Sequence, residues 1–416
     1  MKLGLGSKIR KALKPGALRK KVLPYLWYYS GLAALTAFVC RMRPIRRGKV
    51  VFTSFHGRGF GDHQKYIVLE LLRRGVATEL VWLSDFPLEA RREVPSGVRV
   101  ASLRPFSAIH EMSNAQLWVD SQGLNRLIVW GLAKRRGQTY IQTFHGSLGI
   151  KRVGADIPSD GTMRLWVEII KRDAAMLDYL VSNSRWESEV VYRSRFFGKG
   201  TIMEFGHPRN DVFFSDRFEA RRTTLSRLCV AESERVVLVA QTWRGGNCRN
   251  LDFVIRSHES LKKSCEGRFG GSWRVVVRHH PNMIPLADGL ECGSDVVDAT
   301  SYPDMQSLLV AADALVSDYS SCMFDFMLTR RPVFVYAPDI DEYERGRGFY
   351  YPMSETPFPV ARTEAELAEN IRAFDETKYR EGVEAFLKGK GCVEDGHATE
   401  RVCDLIESML PGLPTG

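Results

Sequence analysis

The chain has 416 residues, with 59 lysines and arginines against 49 aspartates and glutamates, and 44% of its residues are hydrophobic. That is ample apolar material for two packed domains of about 150 to 200 residues each, and it excludes collagen-like, disordered and disulfide-dense classes. The eight cysteines (Cys40, Cys229, Cys248, Cys265, Cys292, Cys322, Cys392 and Cys403) form no CxxC pair. Neither a zinc cluster nor a disulfide framework is expected, and a reducing compartment is the default.

The positive charge is concentrated at one end. Residues 1–50 hold 13 lysines and arginines and no acid, and the remainder is nearly balanced at 46 bases against 49 acids. A basic nucleic-acid-binding face over the whole fold is therefore not indicated. Two basic blocks, residues 8–21 and 41–49, flank the uncharged residues 22–40, which include Tyr25, Trp27, Tyr28 and Tyr29. A helix of that length falls just short of a hydrocarbon core of about 30 Å, and Pro24 and Gly31 interrupt it. The pattern fits an in-plane or re-entrant anchor on an anionic cytoplasmic leaflet. The competing reading is an apolar helix packed on the protein's own core.

From Lys49 onward, apolar runs alternate with Gly-rich turns and amphipathic stretches. Residues 50–55 read as a buried strand, 56–62 as a Gly-rich loop and 65–74 as a helix. Strands are expected at 79–83, 117–120, 139–143 and 179–182. The unit restarts at residues 235–243, with further strands at 273–278, 313–318 and 332–336. Short β-branched runs separated by helical stretches imply parallel sheets with βαβ crossovers, here in two sets joined near 210–234. The expected architecture is α/β, with two Rossmann-like domains facing a cleft. In such sheets ligands sit at the carboxyl ends of the strands.

Three of those loops carry candidate chemistry. At Ser317-Asp318-Tyr319-Ser320-Ser321 a strand gives way to an apolar helix, whose first N–H groups and serine hydroxyls suit a phosphate; serine N-capping alone is the bland alternative. Arg278-His279-His280-Pro281 leaves another strand end, with groups able to neutralise a diphosphate. In the first half, Gln142-Thr143-Phe144-His145-Gly146-Ser147 puts a histidine on a Gly-hinged loop, placed to take a proton. His56-Gly57-Arg58-Gly59-Phe60-Gly61 lacks the GxGxxG spacing, no Walker-A sequence occurs, and Asp339-Ile340-Asp341 is too short a pattern to specify a metal.

Taken in order, these blocks resemble the CDP-glycerol glycerophosphotransferase family, the primases and polymerases of teichoic acids and related capsular polymers. The matching stretches are the loop from Phe55 to Tyr66, Gln142 to Ser147 with Lys151 to Gly154, and Gly206-His207-Pro208-Arg209-Asn210-Asp211. They continue with Thr242-Trp243-Arg244, Arg278 to Pro281, Tyr302-Pro303-Asp304, Ser317 to Ser321 with Phe324-Asp325, Arg347 to Tyr350, and Asp395 to Arg401. Departures from the family pattern are Ser147 in place of a common Thr, His207 in place of an aromatic, and His63-Gln64 in place of Asn-Pro.

The resemblance implies a GT-B-like fold divided as a membrane-associating segment (1–49), an acceptor domain (50–212), a CDP-donor domain (213–385) and a helical tail (386–416). It implies His145 as general base and His280 as a second catalytic histidine at the donor phosphates. Thr242, Trp243, Arg244, Arg278, Ser317, Asp318, Ser320, Ser321 and Arg347 would form the donor site. The implied reaction moves glycerol phosphate from CDP-glycerol to a polyprenyl-diphosphate-linked acceptor and releases CMP, at the cytoplasmic face of a membrane. No cofactor or metal site is expected, although a Mg²⁺ requirement is left open. CDP-ribitol as donor, and a GT-B nucleotide-sugar glycosyltransferase, are the alternatives.

Overall fold

The computed structural model describes residue 31 and residues 34–410, apart from 37, 41, 77, 158–160, 243–248 and 280–295. Most of the expected membrane anchor, residues 1–30, lies outside the described residues. Among the described residues no helix is long and apolar enough to cross a membrane.

Two parallel sheets organise the chain. The first contains β1 (Arg46–Thr53), β2 (Glu79–Ser84), β3 (Val98–Ser102), β4 (Ala115–Asp120), β5 (Thr139–Gln142), β6 (Tyr179–Ser182) and β7 (Thr201–Glu204), in the order β3-β2-β1-β4-β5-β6-β7. The second contains β8 (Arg235–Val239), β9 (Trp273–Val277), β10 (Val296–Asp298), β11 (Ala314–Ser317), β12 (Val333–Tyr336) and β13 (Val360–Ala361), ordered β10-β9-β8-β11-β12-β13. In each sheet the order of strand addition reverses beside the first strand, at β1/β4 and at β8/β11, which opens a crevice at the strands' carboxyl ends. Central strands are buried on both faces: Val50, Val51 and Phe52 of β1 and Leu315 and Val316 of β11 are fully inaccessible. That is why these segments read as continuous apolar runs rather than alternating ones.

The structure differs from the sequence reading at both ends of the first unit. β1 begins at Arg46, so part of the second basic block is built into the sheet. Lys49 is 1% exposed, with Nζ 2.6 Å from Glu111 Oε2, and Arg46 pairs with Glu79 at 2.7 Å. These charges are satisfied by carboxylates of the same domain. At the other end, the described part of the expected helical tail, up to residue 410, packs back on the first unit. The helix Ala398–Met409 returns to the first sheet, where Val402, Cys403 and Ile406 join the core of Val50, Phe52 and Ile67. Arg74 fixes that return by pairing with Asp404 at 2.6 Å and Glu407 at 2.9 Å.

The two units meet along the loops at their strand ends. Residues 150–153 of the first run against 348–350 of the second: Tyr350 N–H donates to the Ile150 carbonyl at 2.7 Å, and Arg152 N–H to that of Gly348 at 3.1 Å. Gly348 has φ +80°, and a Cβ there would lie 2.9 Å from Arg152 Cδ. Gly59 and Gly61, in the Gly-rich loop after β1, leave room for the backbone of Pro303 and Asp304. The loop therefore serves a close approach between the two units at this point.

Candidate functional site

His145 sits just beyond β5 on a strained loop. Phe144 and Leu148, on either side of the His145-Gly146-Ser147 turn, have φ of +56° and +44°. Such left-handed non-glycine residues cost on the order of 1–3 kcal/mol each and persist only where their surroundings hold them. Phe144 N–H donates to Gln142 Oε1 at 3.0 Å, and Asn183 Nδ2 donates to Ser147 Oγ at 2.9 Å. Gly146 is required, since a Cβ would lie 2.4 Å from the Phe144 ring. The half-buried imidazole directs Nδ1 at the Ser121 carbonyl, 3.0 Å away at the end of β4. A carbonyl only accepts, so Nδ1 carries the proton and Nε2 is the basic nitrogen.

Under this loop lies a guanidinium that sequence reading left without a role. Arg209, 3% exposed, donates to the carbonyls of His145 (3.1 Å) and Gly146 (2.9 Å), and to Asp62 Oδ1 (2.9 Å). Its Nη2 also lies 3.1 Å from Asp325 Oδ2 in the second unit. Burial opposes its charge, but Asp325 and Asp62 outweigh that and raise its pKa, so it is permanently cationic. Asp325 in turn accepts from Asn210 Nδ2 (3.2 Å) and Gln306 Nε2 (3.1 Å).

The two histidine departures noted in the sequence are neighbours. His63 and His207 are fully buried, with ring centroids 4.7 Å apart. Burial, then Arg209, lowers the pKa of His63 well below the ordinary value and keeps it neutral. Burial works against charge on His207 as well, but Glu187, 3.0 Å from its Nε2, and Glu394 outweigh it and raise the pKa. Glu394 is itself pushed up to about 7 by burial. It accepts from Asn183 (3.0 Å) and Asn210 (2.7 Å), tying the C-terminal segment to the His145 loop.

In the second unit the expected donor residues divide into supports and surface groups. Thr242 follows β8 and Asp318 follows β11, so they meet across the sheet's reversal point. Asp318 accepts from Thr242 N–H at 2.9 Å and from Thr242 Oγ1 at 2.7 Å. Ser317 and Asp318 are fully buried, and Ser317 Oγ donates to the Ala240 carbonyl at 2.6 Å. In this arrangement both carry bonds that hold the crevice together. Ser320 and Ser321 are half-buried at the start of the short Cys322–Phe326 helix, and Ser321 makes no capping bond.

Arg278 leaves β9 with its Nη1 buried and without an acceptor among the described residues. Burial lowers its pKa, opposed chiefly by Asp304. Asp304 takes Lys65 Nζ at 2.6 Å and Tyr66 OH at 3.2 Å from the first unit, and Ser307 Oγ at 2.8 Å from its own. Arg347 bonds the Arg152 carbonyl at 3.0 Å, which puts it in the seam between the units. Trp243, Arg244 and His280 lie outside the described residues. Asp339 accepts from Tyr319 OH at 3.0 Å and Asp341 pairs with Arg362 at 2.8 Å, so the two acids have different partners.

The arrangement can therefore pair a basic nitrogen on one strand-end loop with cations and helix-start donors on the facing one. Arg209, Asp325, Asp304 and Lys65 were missed as a group. Arg209 and Asp325 stand inside the matched sequence blocks, but their pairing spans 116 positions, which no local pattern shows.

Residues 35–408 match the family model described as CDP-Glycerol:Poly(glycerophosphate) glycerophosphotransferase. The chain is 29% identical to the teichoic acid glycerol-phosphate transferase of Staphylococcus aureus, over 89% of this chain and 96% of that protein. It is 31% identical to the teichoic acid ribitol-phosphate primase of Bacillus spizizenii, over 88% of this chain and 92% of that protein. It spans 50% of the length of the teichoic acid poly(glycerol phosphate) polymerase of Staphylococcus epidermidis, at 28% identity over 87% of this chain. Among solved structures it is similar to the wall teichoic acid polymerase TagF, with a TM-score of 0.76 and 26% identity over 98% of both chains. Another structure in that set is a TagF variant soaked with CDPG.

Proposed function

This chain belongs to the CDP-glycerol:poly(glycerophosphate) glycerophosphotransferase family, and from that premise we propose that it transfers glycerol phosphate from CDP-glycerol to a membrane-linked acceptor and releases CMP. The acceptor is a polyprenyl-diphosphate-linked glycan or polyol phosphate at the cytoplasmic membrane face, in teichoic acid or related capsular polymer synthesis. The basic residues 1–50 would keep the cleft near a lipid that cannot leave the bilayer.

The observation that carries this reading is the 3.0 Å contact of His145 Nδ1 with the Ser121 carbonyl, which assigns the proton to Nδ1 and would leave the basic Nε2 to take the proton of an acceptor hydroxyl. In the proposed step the hydroxyl oxygen attacks the glycerol-side phosphorus while Nε2 takes its proton. A new P–O bond forms, the diphosphate P–O bond breaks, and the electron pair leaves with CMP. Such transfers depend mainly on positioning and charge stabilisation. Arg278, with the backbone donors and hydroxyls at Ser320 and Ser321, would neutralise the diphosphate and the departing CMP. His280, Trp243 and Arg244 would join that site. Thr242, Ser317 and Asp318 would support it, and Arg347 would shape it from the seam.

The ribitol-phosphate relative at 31% identity makes CDP-ribitol the second donor to test. The protein is incubated with a lipid-linked disaccharide acceptor and, separately, CDP-glycerol, CDP-ribitol and nucleotide sugars. CMP release with CDP-glycerol, matched by a phosphoglycerol gain on the acceptor, is expected. A nucleoside diphosphate released from a sugar donor would replace this reading with a glycosyltransferase. His145→Ala is expected to lower transfer by about 10² to 10⁴-fold, the usual worth of a general base, with CDP-glycerol affinity nearly unchanged.

A further inference from the structure

We infer that Arg209 is a positioning residue that holds the His145 loop in register with the donor-side helix following Ser320 and Ser321. The inference rests on the proposed role of His145. Among the described residues, the side-chain bonds of Arg209 go to no group of the expected donor site. Its Nη1 and Nη2 instead hold the carbonyls of His145 and Gly146, at 3.1 and 2.9 Å. Those carbonyls lie between Phe144 and Leu148, the two residues forced into positive φ. Two carbonyls gripped by one planar fork define the orientation of the peptide between them, and with it the direction of the His145 side chain.

The same guanidinium is neutralised by one carboxylate from each unit. Asp62 begins the helix Asp62–Arg73 after the Gly-rich loop, and Asp325 lies in the Cys322–Phe326 helix that Ser320 and Ser321 open. The pairing is interior, with Arg209, Asp62 and Asp325 all at 3% exposure or less. Water therefore cannot replace a lost partner, and a shift of the donor-side helix pulls directly on the carbonyls flanking the base. Asn210, the next residue, repeats the link by bonding both Asp325 and Glu394. Arg209 thus couples the base to the phosphate-binding turn through one buried cation.

Lysine keeps the charge but loses the fork, so Arg209→Lys isolates positioning from electrostatics. Relative to the wild type, kcat for CMP release should fall at least tenfold, with the KM for CDP-glycerol within threefold. Arg221→Lys is the control; Arg221 pairs with Asp313 and has no bond to the loop. Its kcat should stay within twofold of wild type. An activity-independent readout is the ¹⁵N spectrum of the histidine rings. His145 should be an Nδ1–H tautomer in the wild type and shift towards Nε2–H in Arg209→Lys, as the bond to Ser121 loosens.

Wild-type kcat with an unchanged tautomer in Arg209→Lys overturns the inference. So does a parallel loss in the Arg221 control, which marks general destabilisation. A tautomer shift in Arg209→Lys, when the wild type itself never releases CMP from CDP-glycerol, would discard the functional reading and leave the positioning intact. Should Arg209→Lys fail to fold, Asp325→Asn carries the test: lowered kcat at unchanged donor KM supports the inference, and unchanged kcat overturns it.

Discussion

Replacing Asp304 by alanine tests how the two units are held in register. Its carboxylate is 3% exposed and accepts Lys65 Nζ at 2.6 Å, Tyr66 OH at 3.2 Å and Ser307 Oγ at 2.8 Å. Burial disfavours its charge, yet Lys65 and Ser307 together hold its pKa below the ordinary carboxylate value. Breaking a fully buried ion pair costs about 3–5 kcal/mol. Lys65 is one-fifth exposed and can turn part of its ammonium to water, so its share falls well below that range. The stranded Tyr66 hydroxyl adds about 1–3 kcal/mol, and Ser307 less than 1 kcal/mol because it reaches solvent. The expected loss is therefore about 2–4 kcal/mol for Asp304→Ala. Asp304→Asn, which retains an acceptor for Tyr66 and Ser307, should lose about half as much. Equilibrium urea denaturation followed by far-UV circular dichroism measures both. A loss below about 1 kcal/mol in Asp304→Ala would show that the Lys65 and Tyr66 contacts contribute little to joining the units.

Asp120 is raised to about 7, first by burial, with Asp173 adding to it against the bonds from Gly123, Gln142 and Gln122. A carboxyl with a raised folded pKa contributes most below its unfolded value near pH 4 and loses that contribution as pH rises towards 7. Asp120→Asn should therefore shrink the fall in urea stability between pH 4.5 and 7, by on the order of 2 kcal/mol. An unchanged pH slope would count against burial as the cause. Gly348→Ala places a Cβ at φ +80° and 2.9 Å from Arg152 Cδ. It should cost about 1–2 kcal/mol in the same denaturation assay, because the left-handed backbone and the seam with residue 152 both resist the side chain. Wild-type stability there would show that Arg152 yields freely.

The core of the fold was legible because central parallel strands are dry on both faces. Val50 to Phe52 and Val236 to Val239 therefore announce themselves as apolar runs. The four strands absent from the sequence reading, β3, β7, β10 and β13, are the four sheet edges. In Thr201–Glu204 three of the four residues are exposed and none is fully buried, so no apolar run marks that edge. Equally, Lys49 read as part of a basic flank, because no local pattern reveals a buried carboxylate 62 positions away.

For the site, sequence order and motif spacing determined that His145, Arg278 and Ser317 to Ser321 stand at strand ends, and the family those motifs carry. Only the tertiary structure decided which of them face outward. It turned Ser317 and Asp318 inward, bonded to Ala240 and Thr242, and placed Arg347 in the seam. It also set Arg209 beneath His145 with one counter-charge from each unit. Strand-end position follows from local periodicity, whereas the partner of a buried charge is settled only when chain segments a hundred residues apart pack and exclude water.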